Sequence, residues 1–178
     1  MTDPFQRVIL LCSGGIGSYY GSQLSKAVDV LLVDIKSHVD SGGLMVKDLD
    51  QGSYYLNAVA NLEAVSEECL LVLMTKAHES ERALSEIKNL LKDDTIILVL
   101  QNGLGNEKTV KSIVQCEIVR GLFMTGVEFT SPGVVDIKFK GDIIPKTGQG
   151  QRIKLLLESC GLPVRLTGDM DHEIWRKL

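Results

Sequence analysis

The most constraining feature of the sequence is a short apolar run that leads directly into a cluster of glycines near the N-terminus. Arg7–Leu11 is this run, and residues 12–17 read Cys-Ser-Gly-Gly-Ile-Gly. A run of this length before glycines is typical of a buried parallel strand. Ser18–Ala27 then predicts a helix, and Val30–Asp34 predicts a second buried strand that ends on an acid. This order of elements favours a dinucleotide-binding α/β unit.

The glycine cluster departs from the usual GxGxxG spacing, because Cys12 stands where the first glycine is expected. Gly14 would let the backbone approach a pyrophosphate, and Gly17 would let the helix pack closely on the strand. The amides that begin the helix favour a negatively charged ligand. A glycine-rich turn without a ligand is the alternative. The predicted cofactor contacts in this loop are Cys12, Ser13, Gly14, Gly15, Ile16 and Gly17.

Strands and helices alternate along most of the remaining chain. The predicted strands are Gly42–Val46, Ser53–Asn57, Cys69–Thr75, Thr95–Leu100, Ile118–Phe129, Val134–Lys140 and Val164–Leu166. The predicted helices are Glu79–Leu91, Glu107–Val114, Gln149–Ser159 and Asp169–Leu178. The first two of these strands are expected to form a hairpin. The alternation predicts an α/β fold with a Rossmann-type, doubly wound, mostly parallel sheet over roughly residues 5–167.

Composition and charge exclude several classes of function. The 178 residues carry a net charge of −4, with Lys and Arg scattered among Asp and Glu, so no basic stripe indicates nucleic acid or an anionic membrane. The apolar runs are too short to span a bilayer. The four cysteines lie far apart and lack metal-ligand spacing. We therefore expect reduced thiols, no bound metal, no nucleic-acid or membrane partner and a cytoplasmic location.

The residues after the second predicted strand leave the choice of cofactor open. An acid at this point usually binds the ribose 2′-hydroxyl of NAD, whereas a base accommodates the 2′-phosphate of NADP. Asp34 and Lys36 supply one of each, and Lys36 alone is equally well explained as a solvated surface base.

The last predicted helix carries an apolar stripe. Met170, Ile174 and Leu178 recur at a spacing of four, Trp175 lies beside them, and Asp169 or Asp171 is placed to cap the helix. A helix this short needs a tertiary partner. It either packs back on the same domain or is the first helix of a truncated or missing helical domain.

Five blocks of the sequence carry a family resemblance. They are Gly14–Gly21, Leu71–Ser80, Leu98–Asn106, Thr130–Val135 and Glu173–Leu178. In order and spacing these blocks resemble the ketopantoate reductases, also called 2-dehydropantoate 2-reductases. The resemblance covers essentially the whole chain. It implies an N-terminal Rossmann domain, an all-helical C-terminal domain, and the NADPH-dependent reduction of ketopantoate to pantoate on the route to pantothenate and coenzyme A.

The resemblance also implies roles for individual residues. Lys76 matches a lysine on the adenosine-phosphate side of the cofactor, Asn102 matches an asparagine near nicotinamide and substrate, and Lys177 matches the catalytic lysine. The family's arginine for the 2′-phosphate corresponds to Ile35, which weakens the case for NADP. The predicted cofactor contacts outside the glycine loop are Asp34, Lys36, Thr75, Lys76, Gln101, Asn102 and Gly103.

The chemistry of a keto-acid reductase suits these residue types. An ammonium group such as that of Lys177 can stabilise the developing alkoxide and then donate a proton to it. Without the resemblance, Lys177 is a solvated flank of a helix, and Asn102 is a turn residue in an Asn-Gly pair.

Two other functions stay open at this point. The chain is either a non-catalytic dinucleotide-binding or interaction module, or another Rossmann dehydrogenase of small 2-hydroxy acids. For the reductase, we expect residues 1–168 to form the NADP-binding domain and residues 169–178 to begin the helical domain. A small keto acid is then the substrate, a homo-oligomer is left open, and the isolated chain is expected to be weakly active or inactive.

Overall fold

The computed structural model describes residues 5–11, 14–33, 44–47, 53–66, 68–131 and 134–178. The strands are β1 Arg7–Leu11, β2 Asp29–Val33, β3 Leu44–Lys47, β4 Ser53–Val59, β5 Cys69–Leu73, β6 Ile96–Val99, β7 Glu117–Arg120, β8 Gly126–Ser131, β9 Val134–Phe139, β10 Asp142–Pro145 and β11 Val164–Thr167. The helices are α1 Gly15–Leu24, α2 Ser80–Ile87, α3 Asn106–Ile113, α4 Gly148–Ser159 and α5 Met170–Lys177. Short 3₁₀ turns, Ala77–Glu79 and Lys88–Leu90, flank α2.

Six strands form a parallel sheet in the spatial order β7-β6-β5-β1-β2-β4. Beyond β4 the sheet continues through antiparallel β3 and then the β9–β8 hairpin, while β10 and β11 form a separate parallel pair. The predicted α/β fold with a mostly parallel, Rossmann-type sheet is confirmed. The carboxyl ends of the parallel strands therefore meet at one edge, where such sheets bind ligands.

Helices cover both faces of this sheet because its central strands are apolar on both sides. In β1, Val8 and Leu10 pack in the cluster that contains α1 and α4, whereas Ile9 and Leu11 pack in the cluster that contains α2 and α3. Every residue of β5 is buried. The chain is thus doubly wound around its central strands.

Helix α1 packs unusually closely on the sheet at Gly21. A Cβ atom added there would lie 2.8 Å from Leu56 Cδ1 and 3.1 Å from Leu32 Cδ1. A side chain at this position would have to displace leucines of β2 and β4. The sequence suggested Gly17 for close packing, and the structure adds Gly21, one turn further along the same helix.

Some predicted bounds of helices and strands were wrong. Helix α1 begins at Gly15 rather than Ser18 and ends at Leu24 rather than Ala27. Ile118–Phe129 is not one strand, because β7 ends at Arg120 and β8 begins at Gly126. Between them the chain leaves the sheet, and Leu122 forms a two-way backbone bridge with Ile143.

The bridge partner belongs to β10, a strand that the sequence analysis missed. Asp142 at its start accepts bonds from the amides of Met124 and Thr125, which holds the 121–125 segment in place. These contacts join residues far apart in the chain, and a local pattern does not contain them. The apolar residues of 118–129 therefore suggested one continuous strand.

The apolar stripe of α5 has two different environments. Asp169 caps the helix by accepting a 3.0 Å bond from the His172 amide. Ile174 is 3% exposed and packs with Leu122 and Ile143. Trp175 and Leu178 are 66% and 69% exposed. Across the described part of the chain, no helix is long and apolar enough to cross a membrane.

Candidate functional site

A pocket of about 280 Å³ lies at the carboxyl ends of the parallel strands. Its walls come from the start of α1 and from the segments that follow β5 and β6. The lining residues are Ile16, Met74, Thr75, Lys76, Ala77, Leu100, Gln101, Asn102 and Phe123. Most of the predicted cofactor contacts that the structure describes therefore lie at one pocket, although they come from three separate parts of the chain.

The start of α1 is suited to an anion. Gly14 precedes the helix with φ of +119°, a conformation that side chains rarely adopt, and a Cβ added there would meet nothing within 4 Å. Among the described residues, no side chain caps this helix, and its first turn carries no acid. The first amides of a helix have no intrahelical acceptor and carry partial positive charge. Gly14 thus gives a ligand phosphate access to these amides, and the residues present fit a dinucleotide.

Gln101 fixes one side of the pocket through a buried amide. Its Nε2 donates to the Thr75 carbonyl at 2.6 Å, to the Thr75 hydroxyl at 3.1 Å and to the Ser80 hydroxyl at 2.7 Å. These bonds tie the segment after β6 to the segment after β5. The relative positions of Thr75 and Asn102 are therefore set by a polar contact between neighbouring strand ends.

The loop that carries Asn102 is held from two directions. Asn106 Nδ2 donates to the Asn102 carbonyl at 2.8 Å. Arg120 Nη2 donates to the Gly103 carbonyl at 2.9 Å, and Arg120 also bonds the carbonyls of Val99 and Gly121. Gly103 has φ of +99°, which favours glycine. These contacts hold the backbone and leave the Asn102 side chain to face the pocket.

Lys177 lies at the edge of the pocket. Its ammonium donates to Asn102 Oδ1 at 2.5 Å and to the Phe123 carbonyl. Both acceptors belong to residues that line the pocket. Lys177 and Asn102 are 75 positions apart in sequence, and the packing of α5 against β10 brings them together.

Opposing charges act on Lys177. Burial of the ammonium lowers the pKa of Lys177, the nearby carboxylate of Asp142 raises that pKa, and the guanidinium of Arg120 lowers it. Arg120 itself forms a 3.5 Å ion pair with Glu107. Lowering a lysine pKa towards neutrality makes the ammonium a better proton donor.

Asp142 is the most unusual acid in this region. The residue is 2% exposed, and burial raises the pKa of its carboxyl to about 6, although amide bonds from Met124 and Thr125 and the charge of Lys177 act in the opposite direction. Within the described part of the molecule, its Oδ2 atom has no hydrogen-bond partner. Burying a carboxylate with an unpaired oxygen costs free energy, so such a group in a folded protein calls for an explanation.

The predicted site residues fall into two groups. The described ones, Gly14, Gly15, Ile16, Gly17, Thr75, Lys76, Gln101, Asn102, Gly103 and Lys177, lie at the pocket or on the segments that border it. Cys12, Ser13, Asp34 and Lys36 lie outside the described residues.

Sequence reasoning missed three contributors: Arg120, Phe123 and Asp142. Asp142 offered a weak signal, since it is an acid directly before the apolar residues of β10. Phe123 acts at Lys177 through its backbone carbonyl, which no pattern of side chains can predict. The arrangement as a whole combines a helix start that is suited to an anion with an ammonium group bonded to two residues that line the same pocket. It is suited to hold a phosphorylated cofactor and to protonate a carbonyl oxygen.

Comparison with known proteins places this geometry in context. The family model for ketopantoate reductase PanE/ApbA matches residues 8–147. A 2-dehydropantoate 2-reductase from Pyrococcus horikoshii is 28% identical over 182 residues, which cover 96% of this chain and 59% of that protein. The chain thus spans about three-fifths of the length of this relative.

Solved structures agree on the fold. A PanE/ApbA family ketopantoate reductase from Ralstonia eutropha JMP134 superposes with a TM-score of 0.85 at 22% identity, covering 96% of this chain and 59% of that one. A D-mandelate dehydrogenase solved with NADH and anilino(oxo)acetate has a TM-score of 0.83 at 26% identity, covering 96% of this chain and 60% of that one.

Proposed function

This chain belongs to the ketopantoate reductase PanE/ApbA family, and from that premise we propose that it is the cofactor-binding part of an NADPH-dependent 2-dehydropantoate 2-reductase. The reaction is the reduction of ketopantoate to pantoate. The observation that carries the proposal is the bond from Lys177 Nζ to Asn102 Oδ1 at the edge of the pocket. This bond joins Lys177, the candidate proton donor, to Asn102, a polar side chain that can orient it, at the carboxyl edge of a Rossmann sheet.

The chain's own residues divide the work of holding the cofactor. The amides at the start of α1 bind the pyrophosphate, with Gly14 allowing its close approach. Thr75 and Gln101 form the wall beside the nicotinamide half, and the exposed Lys76 offers a positive charge to the phosphate side. When bound, the cofactor supplies a hydride to the keto carbon.

Lys177 and Asn102 act on the substrate oxygen. The ammonium of Lys177 stabilises the negative charge that develops on the keto oxygen, and it then donates the proton that completes the alcohol. Asn102 holds the ammonium through Oδ1, and its Nδ2 atom is left to donate to the substrate. The Phe123 carbonyl is the second acceptor that limits the directions open to Lys177.

NADPH is the preferred cofactor in this proposal. Lys36 and Lys76 favour a 2′-phosphate, whereas Asp34 and Ile35 favour NADH. Two residues favour each cofactor, so the preference rests on the family. We further propose that residues 1–168 form the NADP-binding domain and that residues 169–178 begin the helical domain of the family.

A dehydrogenase of small 2-hydroxy acids is the second candidate. The similarity to D-mandelate dehydrogenase, which was solved with NADH, favours it. Its chemistry is the same at the keto oxygen and differs in the substrate side chain and in the cofactor phosphate. Lys177 and Asn102 therefore cannot distinguish the two candidates, but the substrate and cofactor can.

The test combines binding and turnover. Calorimetric titration of the 178-residue chain with NADPH and with NADH should give tighter binding of NADPH. The complete natural protein that contains these residues should oxidise NADPH with ketopantoate, with the 178-residue chain weakly active or inactive. Faster turnover of phenylglyoxylate with NADH would favour the second candidate, and no binding of either cofactor would favour a non-catalytic module.

A further inference from the structure

The peptide between Phe123 and Met124 is held on both sides. Its carbonyl accepts from the ammonium of Lys177, and its amide donates to Asp142 Oδ1 at 2.9 Å. A trans peptide is planar, with the C=O and N–H directions opposed. A bond that fixes the amide therefore also fixes the direction of the carbonyl.

Asp142 makes more than one contact with this turn. Its Oδ1 atom also accepts from the Thr125 amide and from the Thr125 hydroxyl, each at 3.2 Å. Because Asp142 is 2% exposed and starts β10, its backbone is fixed by the sheet pairing with β11. The carboxylate is thus an anchor that does not move with the turn it binds.

Asp142 and Lys177 are joined through the same two elements. Helix α5 packs on β10 through Ile174 and Ile143, so the strand that begins with Asp142 also supports the helix that ends at Lys177. A carboxylate that accepts from a peptide N–H polarises that peptide and makes its carbonyl a stronger acceptor. Asp142 therefore acts on Lys177 in two ways: it fixes the direction of the Phe123 carbonyl, and its charge makes that carbonyl a stronger acceptor.

We propose that Asp142 is a positioning residue for Lys177, holding the Phe123–Met124 peptide so that its carbonyl aims the ammonium at Asn102. This inference rests on the proposed function for its catalytic consequence. The position of the ammonium is a property of the chain itself and can be measured without substrate. The charged groups that act on Lys177 are Asp142 on β10 and Arg120 at the end of β7.

The first measurement uses the 178-residue chain without cofactor or substrate. The chain is labelled with ¹³C-lysine, the Lys177 Cε signal is assigned with Lys177→Arg, and its shift is followed against pH. Asp142→Asn should lower the pKa of Lys177, because the charge that raises this pKa is lost. Asp136→Asn, which removes an acid on β9, is the matched control and should leave the Lys177 titration unchanged.

The second measurement reports on the turn. Asp142→Ala should speed amide exchange at Met124 and Thr125 by about tenfold or more, while Asp142→Asn, which keeps an acceptor oxygen, should restore most of that protection. If the alanine variant does not fold, the asparagine variant still gives the lysine titration. An unchanged Lys177 titration in Asp142→Asn overturns the inference, whatever substrate the protein uses.

Turnover connects the inference to function. In the complete natural protein, Asp142→Asn should lower kcat about tenfold and move the alkaline limb of the kcat–pH profile to lower pH, with KM for NADPH unchanged. A changed Lys177 titration in a protein that does not reduce ketopantoate supports the positioning role and overturns the proposed function. The two failures are therefore separable.

Discussion

Helices α1 and α5 border the same pocket but are held in different ways. In α1 every residue from Gly17 to Leu24 is buried, and Gly21 lies against the leucines of the sheet. In α5 only Glu173 and Ile174 are buried. The first helix offers its N-terminal amides to the pocket, and the second offers the side chain of Lys177.

This difference shows how a fold supplies two kinds of functional group. Backbone amides are positioned by whatever positions the helix, so deep burial of α1 is sufficient. A long lysine side chain keeps its own rotamer freedom even when its helix is docked. Lys177 therefore needs further polar contacts, which Asn102 and Phe123 provide.

The largest expected effect comes from removing the ammonium. In the complete natural protein, Lys177→Ala should lower kcat by about 10²- to 10⁴-fold, the range for loss of a general acid that also stabilises an oxyanion. Binding of NADPH by calorimetry should stay within about twofold, because α1 is unchanged. Arg176→Ala is the control, since Arg176 is exposed and its ion pair with Glu173 is long, at 3.8 Å. Unchanged kcat in the lysine variant would remove Lys177 from the mechanism.

The second effect is a pH dependence of stability. Burial raises the pKa of Asp142 to about 6 from an ordinary value of 3.8, so the folded state favours the protonated carboxyl. The resulting stabilisation is present below about pH 4 and is lost as pH rises to about 6, a difference of about 3 kcal/mol. The free energy of unfolding of Asp142→Asn, measured with urea and compared with that of the wild type, should therefore increase by that amount between pH 4 and pH 7. A difference that stays constant with pH contradicts the burial argument.

The third effect tests how α5 is docked. Ile174→Ala truncates the buried apolar side chain of the helix and should weaken its docking by about 2–3 kcal/mol. Amide exchange in α5 should increase, and the Lys177 contacts should weaken, while NADPH binding changes little. Leu178→Ala is the control, because Leu178 is 69% exposed. If both variants behave alike, Ile174 is not what holds the helix.

The smallest effect tests the packing of α1. Gly21→Ala places a Cβ 2.8 Å from Leu56 Cδ1, which should destabilise the chain by about 1–2 kcal/mol after the better helix propensity of alanine is allowed for. NADPH binding should weaken in parallel, since α1 carries the phosphate amides. Gly148→Ala in α4, where a Cβ meets nothing within 4 Å, should be neutral or slightly stabilising by thermal melting.

The order of strands and helices was largely predictable from local pattern. Burial on both faces requires continuous apolar runs, and β1, β2, β5 and β6 all have them. The hairpin of β3 and β4 was also predicted, and the structure pairs them antiparallel. The errors fell at the 121–125 segment and β10, where contacts between distant parts of the chain override the local pattern.

The candidate site was only partly predictable. Asn102, Gln101 and Lys76 follow buried strands, so the sequence pattern and the family resemblance together indicated the right edge of the sheet. Lys177 was indicated by the resemblance alone, because its local pattern is that of a solvated helix flank. Its contacts with Asn102 and Phe123 form only when α5 docks.

The sequence by itself determined the family, the parallel sheet and the glycine-rich start of α1, because each is indicated by local residue patterns and by their order along the chain. Only the tertiary structure decided that Asp142, Phe123 and Arg120 surround the lysine. Asp142 lies 35 positions before Lys177 in sequence (177 − 142). Burial, peptide direction and the balance of charges at an ammonium arise only when distant segments pack together, and no local pattern contains them.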